Sequence, residues 1–130
     1  MENIQVPVSP GEVLDKITIL EIKSERMTDP AKLANVRVEL SLLQETWKQS
    51  VAEDPVITDL HQQLKQINEA LWEIEDDIRD KERARAFDQE FIELARRVYF
   101  TNDRRSRVKK ELNLHLGSMI VEEKSYQDYE

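Results

Sequence analysis

The chain contains no cysteine. Disulfides, a thiol nucleophile and cysteine-ligated zinc are therefore excluded, and the composition suits a reducing compartment. Glycine is almost as scarce: only Gly11 and Gly117 occur, with four prolines, among 130 residues. Neither a Walker-type phosphate loop nor a dinucleotide fingerprint can be built from two glycines that both stand where helices are expected to begin and end. No apolar run approaches the ~18 residues that a membrane-spanning helix needs. The N-terminal segment MENIQVPVSPGE lacks the basic-then-apolar order of a secretion signal. A cytoplasmic protein is the simplest expectation.

What is present is charge. Charged residues make up 35% of the chain and hydrophobic ones 39%, a balance that suits long helices with solvated faces and suits sheets poorly. The length matches one domain with one core. The net charge of −8 argues against general binding to nucleic acid or anionic membranes, whose affinity for proteins comes mainly from cations. The charge is uneven, however. Arg96, Arg97, Arg104, Arg105, Arg107, Lys109 and Lys110 crowd into fifteen residues with only Asp103 against them, so this window carries +6 and the remainder −14. A local anion site is compatible with the overall acidity.

Punctuation along the chain predicts four helices. Residues 1–9 read as an extended arm. Ser9, Pro10 and Glu12 form a capping-box signature, and a first helix over Pro10–Met27 keeps Val13, Ile17, Leu20, Ser24 and Met27 at helical spacing, with Leu14 widening the stripe. Asp29-Pro30 starts a second helix carrying Leu33, Val36, Leu40, Leu43 and Trp47 to about Val51. Asp54-Pro55, or Thr58 as a later cap, starts the third. Its seam of Ile57, Leu60, Leu64, Ile67, Leu71, Ile74 and Ile78 is a sustained heptad. The pattern fails in DKERARAFD, which places a turn or a kink near Ala84–Asp88 with Asp88 capping the next helix. That fourth helix runs to about Leu116, Gly117 stops it, and 118–130 form a tail. Short connections make neighbours antiparallel. The expected fold is all-α, a single domain over 1–130: an antiparallel four-helix bundle with a longer hairpin of helices 3 and 4.

One segment of this hairpin breaks the rules of a core helix. In FIELARRVYFTNDRRSRVKKELN the apolar stripe of Leu94, Val98, Val108 and Leu112 is interrupted by Thr101, Asn102 and Arg105. A buried polar break costs free energy unless its groups are paired. With the turn near residue 86, Trp72 comes level with Thr101, Asn68 with Arg105 and Glu75 with Val98. A polar stripe of His61, Asn68, Trp72, Glu75 and Arg79 then faces another of Tyr99, Asn102, Ser106, Lys109 and Asn113. One reading is a structural network, in which Glu75 pairs with Arg79 and Asn68 with Arg105 fixes the hairpin register. The other is a pocket for a carboxylate or phosphate, with Arg105 and Lys109 holding the anion. In that pocket Arg96 or Arg104 is a further candidate cation, Asn68 and Asn102 orient the anion, and Trp72 or Tyr99 walls it. The candidate ligand-binding residues are thus Asn68, Trp72, Glu75, Arg79, Asn102, Arg105 and Lys109. A third option is that the cations are simply solvated.

Other chemistry finds less support. His61 and His115 fall at about one level of the hairpin, but two histidines lack a further zinc ligand. No Glu-x-x-His pair for a di-metal bundle occurs, so no metal or cofactor is expected. Neither histidine has a serine partner for nucleophilic catalysis, and no catalytic residue is assigned. Ile19, Ile22, Val38, Leu42, Ile92 and Phe100 lie off the main seams. Together they exceed what a small monomeric bundle buries, which favours a homodimer.

The segments SPGEVLDKITILEIKSERM, NEALWEIEDDIR, FIELARRVYFTND and IVEEKSY span nearly the whole chain. With them it resembles a family of small, all-helical bacterial proteins of unknown function. The resemblance implies an accessory role beside sugar transfer or cell-surface polysaccharide synthesis. Within the first segment Glu12, Asp15, Lys16, Thr18 and Lys23 are an alternative place for function, against capping and surface pairing. All-helical chorismate mutases also hold a dicarboxylate between long helices with several Arg and Lys residues. Glu75, Arg79, Arg105 and Lys109 are the nearest analogues by chemistry, although no segment aligns. The leading expectation is a non-catalytic binding or scaffold bundle with a protein partner. The alternative is a small-anion-binding bundle or enzyme.

Overall fold

The computed structural model describes residues 1–129, leaving Glu130 of the expected tail outside the described residues. It consists of α1 (Pro10–Arg26), α2 (Pro30–Ser50), α3 (Pro55–Ala84) and α4 (Gln89–His115), with no strand among the described residues. Each start has a local chemical cause. Ser9 Oγ accepts from the Glu12 N–H (3.3 Å), Asp29 from those of Ala31 (2.9 Å) and Lys32 (3.4 Å), Asp54 from Ile57 (2.9 Å) and Asp88 from Phe91 (3.0 Å). These bonds satisfy N–H groups that a helix leaves without internal partners. Proline opens α1, α2 and α3, where its missing N–H costs nothing. The capping box at α1 is only half formed. Ser9 caps as expected, but the Glu12 carboxylate turns away to the Lys109 ammonium at 2.7 Å.

The ends differ in kind. Met27 and Val51 stop α1 and α2 in extended conformations. Gly117 follows α4 at φ 65°, and Arg85 ends α3 at φ 52°. The break expected near Ala84–Asp88 is a turn, and it is made by an arginine in the left-handed conformation that glycine adopts more cheaply.

The helices do not share the core equally. α1 packs against each of the other three, α3 and α4 form the long hairpin, and α2 packs along α1 alone. Pairs between α1 and α4 run in opposite directions: Gly11 meets Asn113, Glu12 meets Lys109 and Asp15 meets Arg105. α1 thus lies antiparallel to α4 in the crevice of the hairpin, with α2 folded back on its outer side. Leu14 and Ile17 of α1 meet Ile57, Leu60, Leu64, Ile67 and Leu71 of α3 and Val108 and Leu112 of α4. Burying such a side chain contributes roughly 1.5–3 kcal/mol. From α2, Trp47 joins this cluster, and its indole N–H donates to Glu53 at 2.8 Å.

Length explains where the core stops. α3 has 30 residues and α4 27, about 45 and 40 Å, whereas the 17 residues of α1 span about 25 Å. The last turn of α1 reaches Glu69 and Glu73 through Arg26, both at 3.6 Å. Beyond that level α3 and α4 have only each other, so Ile74 is buried while Ile78, the next seam residue, is only half-buried. Among the described residues no helix is long and apolar enough to cross a membrane.

Gly11 has a different function from the helix-end role expected of it. A Cβ at this position would stand 2.6 Å from the Lys109 carbonyl oxygen and 2.9 Å from Asn113 Oδ1. Both neighbours are fixed, one in the backbone of α4 and the other in a hydrogen bond with the Gly11 N–H at 2.7 Å. Alanine would raise helix propensity yet force α1 off α4. We expect Gly11→Ala to destabilise the fold by about 1–3 kcal/mol in urea denaturation, and an unchanged midpoint would contradict this close approach.

Candidate functional site

Why α4 tolerates polar residues in its apolar stripe becomes clear from the helix opposite. α1 carries Asp15 and Thr18 on the face it turns to the hairpin, and both are buried. Asn68 of α3 uses both amide hydrogens there, donating to Asp15 Oδ1 and to Thr18 Oγ1, each at 2.9 Å. The Thr18 hydroxyl in turn donates to the Asp15 carbonyl at 2.7 Å. From α4, Arg105 Nε stands 4.0 Å from Asp15 Oδ1. A carboxylate taken out of water costs several kcal/mol unless it is compensated. Here an amide donor from one helix and a cation from another supply the compensation. At this separation the attraction reaches at most ~4 kcal/mol for an effective dielectric near 20, and the partial exposure of Arg105 reduces it.

This junction corrects the expected pairing. Asn68 and Arg105 do stand at one level of the hairpin, but they do not bond each other; both address Asp15 on α1. Asp15 and Thr18, which the sequence offers as an alternative place for function against capping or surface pairing, are the centre of the polar layer. The signal was available. The two lie three apart on a stripe that also holds Leu14, Ile17 and Ile22, and that is the same kind of interruption as Thr101 and Arg105 make in α4. Of the other polar residues of that segment, Lys16 pairs with Glu39 at 3.1 Å and Glu12 with Lys109.

Above the junction an open groove of about 570 Å³ runs between α1, α3 and α4. It is lined by Ile19, Ile22 and Leu71 and by Asn68, Trp72, Glu75, Asp76, Arg79, Asn102 and Arg105, so two carboxylates share it with two guanidinium groups. All but one of the candidate ligand-binding residues therefore gather in one place. The exception is Lys109, about one turn further along α4. Its side chain is 9% exposed and its ammonium lies between Glu12 of α1 (2.7 Å) and Glu122 of the tail (3.1 Å). Burial works to lower the Lys109 pKa, but those two hydrogen bonds and the charge of Asp15 outweigh it, so the ammonium is held above its ordinary value. Lys109 is a structural tie, not a groove residue. Within the groove Glu75 pairs with Arg79 one turn on, as the helical spacing implies. Arg105 makes no hydrogen bond among the described residues, its nearest carboxylate being that of Asp15.

The histidines are elsewhere and separately engaged. His61 meets Glu21 of α1 and His115 meets Asp54 at the start of α3, each at 2.8 Å. The His115 hydrogen bond is the main reason that Asp54 sits below the usual carboxylate range. Among the described residues no group of three or more potential ligands could hold a metal ion. The arrangement offers hydrogen-bond donors, a guanidinium that makes no hydrogen bond among the described residues and an indole wall.

The fold and this site define a small helical-bundle protein with a polar three-helix junction opening onto a groove. The chain belongs to the family of unknown function DUF6165, whose model matches residues 4–129. No curated protein and no solved structure matches it.

Two expectations follow from the junction and its neighbour. Asn68→Ala leaves the buried Asp15 carboxylate and the Thr18 hydroxyl short of a donor, and should cost about 1–3 kcal/mol or more in thermal or urea unfolding; a loss below about 0.5 kcal/mol would show that the bonds contribute little. The tail contact depends on acid. Lys124 and then Lys109 hold the Glu122 carboxyl below its ordinary value, so its contribution is complete above the usual carboxylate range and is lost as the pH falls through the lowered value. NMR relaxation of the tail amides should report loosening below about pH 4 while the helices persist. A tail that stays ordered to about pH 2 would exclude this anchor.

Proposed function

We propose that this protein is a non-catalytic binding bundle and that the groove between α1, α3 and α4 takes a small anion, a carboxylate or a phosphate. One observation carries the reading: Arg105 lines the groove and donates no hydrogen bond among the described residues, while the carboxylate that comes within 4.0 Å of it, Asp15, is already bonded to Asn68. A guanidinium so placed matches an incoming carboxylate or phosphate in a bidentate manner. Asn102 stands beside it on α4, Trp72 supplies a flat wall, and Ile19 with Leu71 gives the groove an apolar lining. The absence of catalysis in this proposal rests on the histidines, neither of which lines the groove.

Wider assignments follow from weaker support. The cysteine-free composition suits the cytoplasm. Val38, Leu42, Ile92 and Phe100 remain 64, 50, 48 and 38% exposed, which supports a homodimer or a protein partner covering them. An accessory role in sugar transfer or surface-polysaccharide synthesis rests on the family resemblance of the sequence.

A thermal-shift series with phosphate, sulfate and aromatic dicarboxylates at fixed ionic strength tests the anion site. A ligand at about 100 times its Kd stabilises the native state by roughly 2.7 kcal/mol, a rise of several degrees for a domain of this size. The rise should vanish in Arg105→Gln, whose own melting curve reports whether it folds. A flat response to the whole panel, or an equal rise in folded Arg105→Gln, would remove the groove as an anion site.

A further inference from the structure

We infer that the binding site continues past Arg105 beneath the C-terminal tail and that its ligand is a phosphate ester bearing a flat ring, of the nucleotide class. This deepens the anion-site reading and rests on it. Asn102 and Arg105 line two clefts at once: the groove already described and a second, half-open to solvent and of about 730 Å³, between α4 and the tail. An inorganic anion would leave most of that space empty, whereas small-molecule sites are typically ~300–1,000 Å³.

The far wall is built and held. Glu122 is tied to Lys109 at 3.1 Å and Glu123 to Lys110 at 3.7 Å. At the other end the Tyr129 hydroxyl donates to Asp103 at 2.5 Å, and its ring packs 5.3 and 5.0 Å from those of Tyr99 and Phe100. Between these anchors the chain spans residues 124–127, and from it Lys124 and Tyr126 line the cavity opposite Ser106 and Arg107 of α4. Arg105, Arg107 and Lys124 are suited to phosphoryl oxygens, although Lys124 also meets Glu122 at 2.6 Å. Asp103 of α4, which already accepts from Tyr129, and Asp128 of the tail line the same cleft. Carboxylates beside cations disfavour a plain anion but accept hydrogen bonds from sugar hydroxyls or base amino groups. Tyr126 is 79% exposed; the Lys124 ammonium lies over its ring, 5.7 Å from the centroid, so a base would stack on the opposite face. A phosphate, hydroxyl donors and a flat ring in one molecule satisfy all three features; inorganic phosphate satisfies one.

The test compares ADP with inorganic phosphate by isothermal titration of the full chain at fixed ionic strength, in the parent protein, Arg105→Gln and Tyr126→Ala. ADP should bind at least about tenfold more tightly than phosphate. Tyr126→Ala should weaken ADP by about tenfold, the size of one base–aromatic stack, and leave phosphate unchanged. Both probes should fail on folded Arg105→Gln. If phosphate binds through Arg105 but ADP binds no more tightly, or if ADP is indifferent to Tyr126→Ala, the tail site is overturned and the anion groove stands. If neither probe binds, both fall together.

Discussion

The architecture depends on one buried carboxylate. Asp15 sits 5% exposed between three helices, and an ion in that position dictates what must surround it. Asn68 donates to its Oδ1 and to the Thr18 hydroxyl, Thr18 donates in turn to the Asp15 backbone carbonyl, and Arg105 balances the charge. The consequences spread outward. α4 cannot keep an unbroken apolar stripe at this level, because a cation has to stand there. α1 cannot slide along the hairpin without stranding the charge, so one polar contact fixes the register of three elements. The side chains that serve Asp15 are also too hydrophilic to close over the crevice as leucines would, which leaves the groove open.

A second polar contact holds the beginning of α1. The Gly11 N–H, one of the donors a helix start leaves unpaired, is taken by Asn113, which is 2% exposed. Lys109 meanwhile clasps Glu12 and reaches across to Glu122. The helix is thus pinned at its first turn and near its middle, with Leu14 packed between the two pins. Only glycine allows this, since any side chain at position 11 would occupy the space of the α4 backbone. Through Lys109 the pin is shared with the tail, so the part of the chain that roofs the second cavity is linked to the docking of α1.

Most of the fold was legible in the sequence because its signals are local. Ser9, Asp29, Asp54 and Asp88 cap helices by bonding N–H groups two or three residues away, and the chemistry of a cap needs no knowledge of the rest of the chain. The hairpin register followed from its short turn, and with it the gathering of Trp72, Asn68, Asn102 and Arg105. What lay beyond reach was the placement of α1. No short turn ties it to α3 or α4, so its register is set by side-chain fit across distant segments, and Asn68 was matched to Arg105 when its true partners are Asp15 and Thr18. Lys109 was grouped with Arg105 because it shares a helix face. A face does not specify depth along the axis, and Glu12 captures Lys109 a turn away. The left-handed Arg85 was equally hidden, since the residue that normally announces such a conformation is absent.

The centrality of α1 has a kinetic side. The bond from Gly11 to Asn113 joins residues 102 apart, whereas the hairpin of α3 and α4 closes through a short turn. Loop-closure entropy favours the local pairing first. The hairpin is therefore the natural nucleus, and docking of α1 the step that completes the core. On a ribosome this order becomes a delay: α1 is made first yet must wait, apolar face uncovered except by α2, until nearly the whole chain has emerged. Polar Asp15 and Thr18 in the middle of that face make the waiting helix less adhesive than an all-apolar one. The same two residues that fix the finished register also protect the unfinished chain from pairing with the wrong surface.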